Sequence, residues 1–382
     1  MTDRRMLAAV LTGHGGPEQL EVRDDVPVPR PAPGEVLVRV TAAAVNNTDL
    51  WTREGAYGSE DDPDAVAGWQ GEPLDFPRIQ GGDVVGIVTE VGEDVDDRII
   101  GRRVLLDPTF YAGEASSGHR WDGDADGCIV EEPRLEAVLG SELDGGFAEY
   151  VAIAADHAHD VTGSPLRDEQ LACLPIAYGT ATGMLERADL RADETVLVTG
   201  ASGGVGLALV ELAHARGARV IALTSMGHAQ AVRAAGAEHT VARAEDAVPD
   251  RIRAAAGGPI AVVADVVGGW VFEELFALLG TGGRWVTCGA VADPIVSLDL
   301  RTLYLQRRRL IGSTMHTPAQ FERLLDDARH GRIDPLVART YPLRDIHVAQ
   351  EDFAEGEHVG KLVLLPPDDP DGDRTAGTGA DG

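Results

Sequence analysis

The run Thr195-Val-Leu-Val-Thr-Gly200-Ala201-Ser202-Gly203-Gly204-Val205-Gly206-Leu-Ala-Leu-Val-Glu-Leu-Ala213 restricts the possible folds more than any other stretch of the chain. An apolar strand pattern passes through clustered glycines directly into an amphipathic helix. Glycines at 203, 204 and 206 let backbone approach ligand oxygens and let the helix pack close on the strand, while the helix N-terminal amides and dipole attract negative charge. The run departs from Gly-x-Gly-x-x-Gly at its first position, where Ala201 stands, so the spacing alone is a weak signal. Context strengthens it. A second strand pattern, Arg219-Val-Ile-Ala-Leu-Thr224-Ser225, follows about 20 residues later, where a dinucleotide fold places its ribose-reading residue. The run is read as a pyrophosphate cradle rather than a strand-turn-helix that only packs.

The chain has 382 residues, enough for two domains that each bury a core. No apolar run approaches the ~18 residues of a membrane span, and Met1-Thr-Asp-Arg-Arg5 is not followed by the apolar core of a signal peptide. A soluble, cytoplasmic protein is expected. Cys128, Cys173 and Cys288 lie far apart with no Cys-x-x-Cys spacing, which gives neither a disulfide framework nor a structural zinc knot. The formal charge of −30, from 63 Asp and Glu against 33 Lys and Arg, repels nucleic acid and anionic membranes and leaves a small molecule as the expected partner. Lys361 is the single lysine, and the acidic residues are scattered along the chain. This pattern is read as halophilic adaptation, because a Debye length of about 3 Å in molar salt relieves self-repulsion; an arginine-rich genome with ordinary acidity is the alternative.

Residues 7–11, 35–42, 86–91 and 103–106 are β-branched or alternating and separated by Pro and Gly, as in an antiparallel, barrel-like domain. Polar insertions at 58–76 and 108–143 interrupt them and read as lids or unstructured loops. From residue 165 strands and helices alternate, with strands at 196–199, 220–223, 260–265 and 284–288 and helices at 207–216, 229–235 and 272–279. That alternation specifies a doubly wound parallel sheet. Beyond residue 311 come helices near 318–329 and 346–353 and a closing strand at 361–365, a return expected to rejoin the first domain. The domains are therefore drawn as 1–164 with the return 312–366, and 165–311. The acidic segment 367–382 is almost without apolar groups and is expected to be disordered.

This order of barrel, dinucleotide fold and returning tail resembles the medium-chain dehydrogenase/reductase superfamily from about residue 7 to residue 365. The likeness rests on Val45-Asn-Asn-Thr-Asp-Leu50, Phe76-Pro-Arg-Ile-Gln-Gly-Gly-Asp-Val-Val-Gly86, Asp144-Gly-Gly-Phe-Ala-Glu-Tyr-Val151, the glycine turn, Asp265-Val-Val-Gly-Gly269 and Gly360-Lys-Leu-Val-Leu364. It implies a β-rich, GroES-like catalytic domain joined to a Rossmann domain, and a homodimer through the edge of the nucleotide-domain sheet. At the three positions where zinc alcohol dehydrogenases of the superfamily carry Cys, His and Cys, this chain has Asn46, Gly82 and Tyr178, which cannot replace thiolate and imidazole around Zn²⁺. Asp83, His119 and His157 read as solvated surface groups rather than ligands. The chain is thus similar to the zinc-free branch of quinone oxidoreductases and enone or enoyl-thioester reductases, with no metal.

The resemblance assigns Asn46 a polar contact to substrate or cofactor amide, and Asp49 a supporting role or a helix cap. Thr182 matches a threonine beside the nicotinamide. The cofactor turn spans Gly200 to Gly206, and Thr224, Ser225, His228, Asp265, Gly268, Cys288 and Gly289 border the cofactor at the carboxyl edge of the sheet. Ser225 stands where an NAD-preferring fold carries Asp or Glu, so NADPH is expected over NADH, with His228 and Arg233 near the 2′-phosphate; alternatively Ser225 only begins a turn. Tyr57, Tyr178 and Tyr111 are the proton-donor candidates, with Tyr57 preferred for its closeness to Asn46 and Asp49 in sequence. Lys361 reads equally as a cleft residue or a salt-bridged surface lysine. A zinc-type alcohol dehydrogenase with unusual ligands and a non-catalytic NADPH-binding protein are the rival readings.

Overall fold

The computed structural model describes residues 4–56, 74–112, 134–244 and 246–367. Tyr57, His119, Cys128 and the acidic segment beyond residue 367 lie outside the described residues.

The first half is built from β1 (Arg5–Leu11), β2 (Leu20–Pro27), β3 (Glu35–Ala44), α1 (Asn47–Glu54), β4 (Arg78–Ile79), β5 (Asp83–Val91), β6 (Arg103–Leu106), β7 (Thr109–Tyr111), β8 (Leu135–Val138), β9 (Tyr150–Ala154) and β10 (Ala158–Asp160). Its main sheet runs β10-β6-β5-β3, and β9 also pairs with β3. β3 is buried almost throughout because it has neighbours on both edges and a core on each face. The ends of the expected 108–143 insertion are ordered: β7 and β8 pair antiparallel and frame the residues between them. Strands β2, β9 and β10 escape the sequence pattern, the last two being only five and three residues long.

The second half follows with α2 (Asp168–Leu171), a π-type turn at Leu174–Tyr178, α3 (Gly179–Arg187), β11 (Thr195–Val198), α4 (Gly204–Ala215), β12 (Arg219–Thr224), α5 (Ala229–Ala234), β13 (His239–Ala242), α6 (Val248–Ala256), β14 (Ile260–Asp265), α7 (Val271–Phe276), β15 (Leu279–Thr287), α8 (Leu300–Tyr304) and β16 (Arg309–Gly312). All six strands are parallel, in the order β13-β12-β11-β14-β15-β16. Alternate strand residues face opposite sides: Val196 and Val198 pack under α4, while Leu197, Val263 and Trp285 pack against α6 and α7. With both faces covered, the strands read as continuous apolar runs. Leu279 begins β15, paired with Ile260, rather than ending the preceding helix as expected. Cys288 lies just past the strand.

The return crosses back in two stages. α9 (Pro318–His330) lays Phe321, Leu324, Leu325 and Ala328 into the cluster around α3 and α4. Then β17 (Val337–Pro342), α10 (Ile346–Glu355) and β18 (Lys361–Leu365) join the barrel, where Val363 and Leu364 pair with Ala44 and Ala43 of β3. Strand β18 therefore carries Lys361 from the nucleotide side into the middle of the barrel sheet.

Candidate functional site

Strand order reverses between β11 and β14, and in a doubly wound sheet the crevice beyond the carboxyl ends at that point takes the ligand. Both flanking loops are shaped for it. Gly200 has φ +56°, which an L side chain rarely adopts. A Cβ at Gly206 would lie 2.1 Å from the Gly200 carbonyl oxygen, so α4 packs on the turn only because position 206 is glycine. A Cβ at Gly203, the N-cap of α4, would meet nothing nearer than that same oxygen at 3.6 Å, leaving the helix N-terminus open to an anion.

The second loop is held by Asp265, whose Oδ1 accepts from Thr199 Oγ1 (2.6 Å) and Val267 N (3.0 Å), and whose Oδ2 accepts from Gly268 N (3.1 Å). Burial pushes this carboxyl up, against the pull of those donors. Asp265 thus spends its side chain on locking the two loops together, and what the crevice receives from Asp265 to Gly268 is backbone. Gly289 packs near the Val266 carbonyl, at 3.3 Å from an added Cβ, and burial pushes the neighbouring Cys288 thiol up to about 12, which makes it inert.

At the end of β12 the Thr224 hydroxyl is buried with no hydrogen-bond partner among the described residues, an orphan that a bound ligand would satisfy. Ser225 N-caps the short turn at 226–228, with no carboxylate at the ribose-reading position. His228 Nε2 lies 3.1 Å from the Glu357 carbonyl, and Arg233 Nη1 donates to Thr240 Oγ1 at 2.5 Å. Thr182 is buried on α3. The glycine loop, the buried Thr224 and the open helix terminus together fit a dinucleotide.

The barrel side of the cleft centres on an ion pair that joins Asp83, expected as a solvated surface group, to Lys361, for which the cleft was one of two readings. Asp83 and Lys361 are buried, not solvated, with side chains 0% and 4% exposed and Nζ to Oδ2 at 2.9 Å. Lys361 Nζ also donates to the Val45 carbonyl at 2.9 Å and to Asn46 Oδ1. Asn46 Nδ2 donates to Asp83 Oδ2 at 2.8 Å, and Asp83 Oδ1 accepts from Ile176 N of the π-type turn at 2.7 Å. The lysine stem runs past the glycine turn, since a Cβ at Gly204 would lie 2.8 Å from Lys361 Cδ, and Gly360 N donates to the Ser202 carbonyl at 3.2 Å. One lysine therefore ties the cofactor turn, the Asn46 segment and Asp83 together.

Asp49 accepts from Asn46 N at 2.7 Å and so caps α1 from within. Burial lifts its carboxyl to about 7, against that hydrogen bond and the nearby Lys361. The signal for this network was present in the sequence: a lone lysine opening an otherwise apolar strand is a charge that needs a partner.

Around Asn46, the position matching a second metal ligand is Gly82, where a Cβ would lie 2.9 Å from the Leu139 carbonyl oxygen and 3.2 Å from Ile176 Cδ1. Tyr178 is buried with its hydroxyl on Glu211 of α4, and burial pushes it well above its ordinary value. The Tyr111 hydroxyl donates to the His316 carbonyl. Two of the three proton-donor candidates thus have their hydroxyls engaged by protein groups. Among the described residues, no three His, Cys, Asp or Glu side chains gather where they could hold a metal ion. His157, expected at the surface, is stacked on Phe110 (3.9 Å between ring centres), with Nδ1 3.1 Å from the Asp107 carbonyl.

A second buried cluster gave no sequence signal. His316, fully buried just past β16, places Nε2 3.0 Å from Asp107 Oδ1 and 3.3 Å from Thr109 Oγ1. Burial would raise the Asp107 carboxyl, but His316 and the Thr109 donors outweigh it and hold it at about 2. The imidazole is seated on Gly179, where a Cβ would come within 2.2 Å of Nδ1, and stacks on Phe321. Residues 209 positions apart in the chain, Asp107 and His316 of the 313–317 segment, are thereby clamped across the cleft.

Comparison with known proteins agrees with this architecture. The alcohol dehydrogenase GroES-like domain matches residues 32–163 and the zinc-binding dehydrogenase domain residues 204–329. An acryloyl-coenzyme A reductase of Metallosphaera sedula is 34% identical over 369 residues, spanning 94% of this chain and 99% of its own. The quinone oxidoreductase of Homo sapiens is 27% identical over 375 residues, spanning 95% and 99%. A solved Sinorhizobium meliloti 1021 structure, provisionally described as an alcohol dehydrogenase, superposes with a TM-score of 0.86 at 47% identity, covering 95% of this chain and 97% of that one.

Proposed function

From its membership of the medium-chain dehydrogenase/reductase superfamily, in which the chain is an oxidoreductase, we propose that it is a zinc-independent, NADPH-dependent reductase of quinones or α,β-unsaturated carbonyl compounds, working in the cytoplasm. One observation carries the reading: the place of a catalytic metal is taken by Asn46, whose amide is divided between Asp83 and Lys361, beside a glycine with no room for an imidazole. An amide, a glycine and a phenol turned towards Glu211 do not fit Zn²⁺. The two curated relatives above, named for acryloyl-coenzyme A and quinone reduction, fit acceptors already polarised enough to need no Lewis acid.

The nicotinamide, when bound, supplies the hydride. The residues of the chain orient and exclude water. The 200–206 turn and the 265–268 loop hold the dinucleotide, Thr182 borders the ring, and Asn46, fixed by the Lys361–Asp83 pair, presents its amide to the acceptor or the carboxamide. Asp49 supports Asn46 through its backbone amide. Tyr57 is assigned the proton that completes the reduction.

Among the described residues no helix is long and apolar enough to cross a membrane. Strand β16 is one edge of the nucleotide-domain sheet, and Ile295, Leu300, Tyr304, Leu305 and Leu310 near it are 46–80% exposed. A second copy meeting this edge would cover them, so the working unit is assigned as a homodimer. The high negative charge assigns it a salt-rich milieu.

The deciding experiment is NADPH and NADH oxidation against a panel of quinones, enones and enoyl thioesters, in dilute buffer and in molar KCl, with metal analysis of protein purified without chelator. Turnover with NADPH in metal-free protein supports the proposal. Stoichiometric zinc with activity lost to chelation points to an alcohol dehydrogenase, and cofactor binding without turnover to a non-catalytic protein.

A further inference from the structure

Deepening the NADPH reading, on which it rests, we infer that Arg243 is the residue that distinguishes NADPH from NADH by pairing with the 2′-phosphate. Sequence order hides it, because it lies 18 positions beyond Ser225, just past the end of the next strand. The sheet brings the two together. Strands β12 and β13 are parallel with Thr224 opposite Ala242, and Arg243 N donates to the Thr224 carbonyl at 2.8 Å. Arg243 therefore leaves the same carboxyl edge as Ser225, about 4.8 Å away across the sheet.

Three features of that edge select a phosphate. Ser225 supplies no carboxylate to repel one or to bind a free 2′-hydroxyl. The buried Thr224 hydroxyl lacks a partner among the described residues, so the edge holds an unused hydrogen-bonding group. Arg243 is exposed, and its guanidinium has no hydrogen bond or ion pair among the described residues, in a chain of charge −30 where carboxylates are plentiful. The guanidinium fork is matched to phosphate oxygens.

The two cations nearest in sequence are less suited. His228 already has Nε2 engaged 3.1 Å from the Glu357 carbonyl. The Arg233 guanidinium is drawn to Thr240 Oγ1, three residues before Arg243 on the neighbouring strand.

The test is direct binding of NADPH, NADH, 2′,5′-ADP and 5′-AMP by calorimetry to wild type, Arg243→Ala, Arg243→Lys and, as a charge control, Arg98→Ala, whose side chain is exposed and paired with Asp96. Arg243→Ala should weaken NADPH and 2′,5′-ADP about tenfold or more and leave NADH and 5′-AMP within about twofold. Lysine at 243 should recover part of the loss, and Arg98→Ala should keep the wild-type ratio. Equal weakening of all four ligands, or an unchanged ratio in Arg243→Ala, overturns the assignment while wild-type preference for NADPH leaves the cofactor reading intact. Wild type that binds NADH as tightly as NADPH overturns both.

Discussion

Replacing Lys361 with methionine tests whether the buried ion pair organises the cleft. Methionine keeps most of the stem that packs over Gly204 but removes the ammonium, leaving the Asp83 carboxylate fully buried without its counter-charge. Breaking a buried pair from one side costs about 3–5 kcal/mol. Asp83 retains donors in Ile176 N at 2.7 Å and Asn46 Nδ2 at 2.8 Å, which places the expected loss at the low end, about 3 kcal/mol. Asp83→Asn removes the other charge and should also destabilise. The double variant Lys361→Met/Asp83→Asn buries no charge, so it should lose less than the two single losses added, with a coupling of at least about 1 kcal/mol. Urea unfolding followed by tryptophan fluorescence, in one salt concentration for all four proteins, measures each term. A Lys361→Met loss below about 1 kcal/mol, or strict additivity in the double variant, would refute the reasoning. NADPH affinity should fall in Lys361→Met as well, because Asn46 loses the ammonium that fixes its amide beside the cofactor site.

Asp49 should make stability depend on pH. Its carboxyl is lifted by burial to about 7, against about 3.9 in an unfolded chain, so the folded state holds a proton that the unfolded chain releases. That contribution is complete below about pH 4 and is lost as pH rises to about 7. Asp49→Asn, compared with wild type by unfolding at a series of pH values, should gain in relative stability across that window; parallel profiles would contradict the burial argument. Gly206→Ala sets a Cβ 2.1 Å from a backbone oxygen that cannot yield, and should cost about 1–3 kcal/mol along with most NADPH binding, read by thermal shift with and without cofactor. Gly179→Ala drives a Cβ to 2.2 Å from His316 Nδ1 and should lower the melting temperature, whereas Gly179→Ala/His316→Gly should recover much of the loss; no recovery would mean the imidazole is not the obstacle. Ile295→Asp with Leu310→Arg should turn a dimer into a monomer by sedimentation, and a dimer that survives both changes would place the interface elsewhere.

The parallel sheet and its glycine turn were legible because local signals agreed. Continuous apolar strands, a glycine cluster and amphipathic helices depend only on neighbours a few residues away, and β11 with α4 falls within a residue or three of the pattern. The short strands β9 and β10 were not, since their pairing with β3 and β6, rather than their composition, makes them strands. The same division runs through the site. Gly203, Gly206 and Asn46 could be nominated from their motifs, and the absence of a carboxylate at Ser225 was plain to read. That the lone Lys361 needs a partner was a local signal, but that the partner is Asp83 could not be read, because the two are 278 positions apart and meet only when β18 enters the barrel sheet.

Residue types and their spacing specified a dinucleotide fold coupled to a β-rich domain, and removed the thiolates and imidazole a zinc site would need. Long-range packing settled that the lone lysine is buried against Asp83, that His316 bridges to Asp107, and that Arg243 reaches the same sheet edge as Ser225. The difference is one of range. Strand and helix patterns are fixed by contacts a few residues apart, whereas charge pairing and strand adjacency are settled by which distant segments the fold brings within a few ångströms.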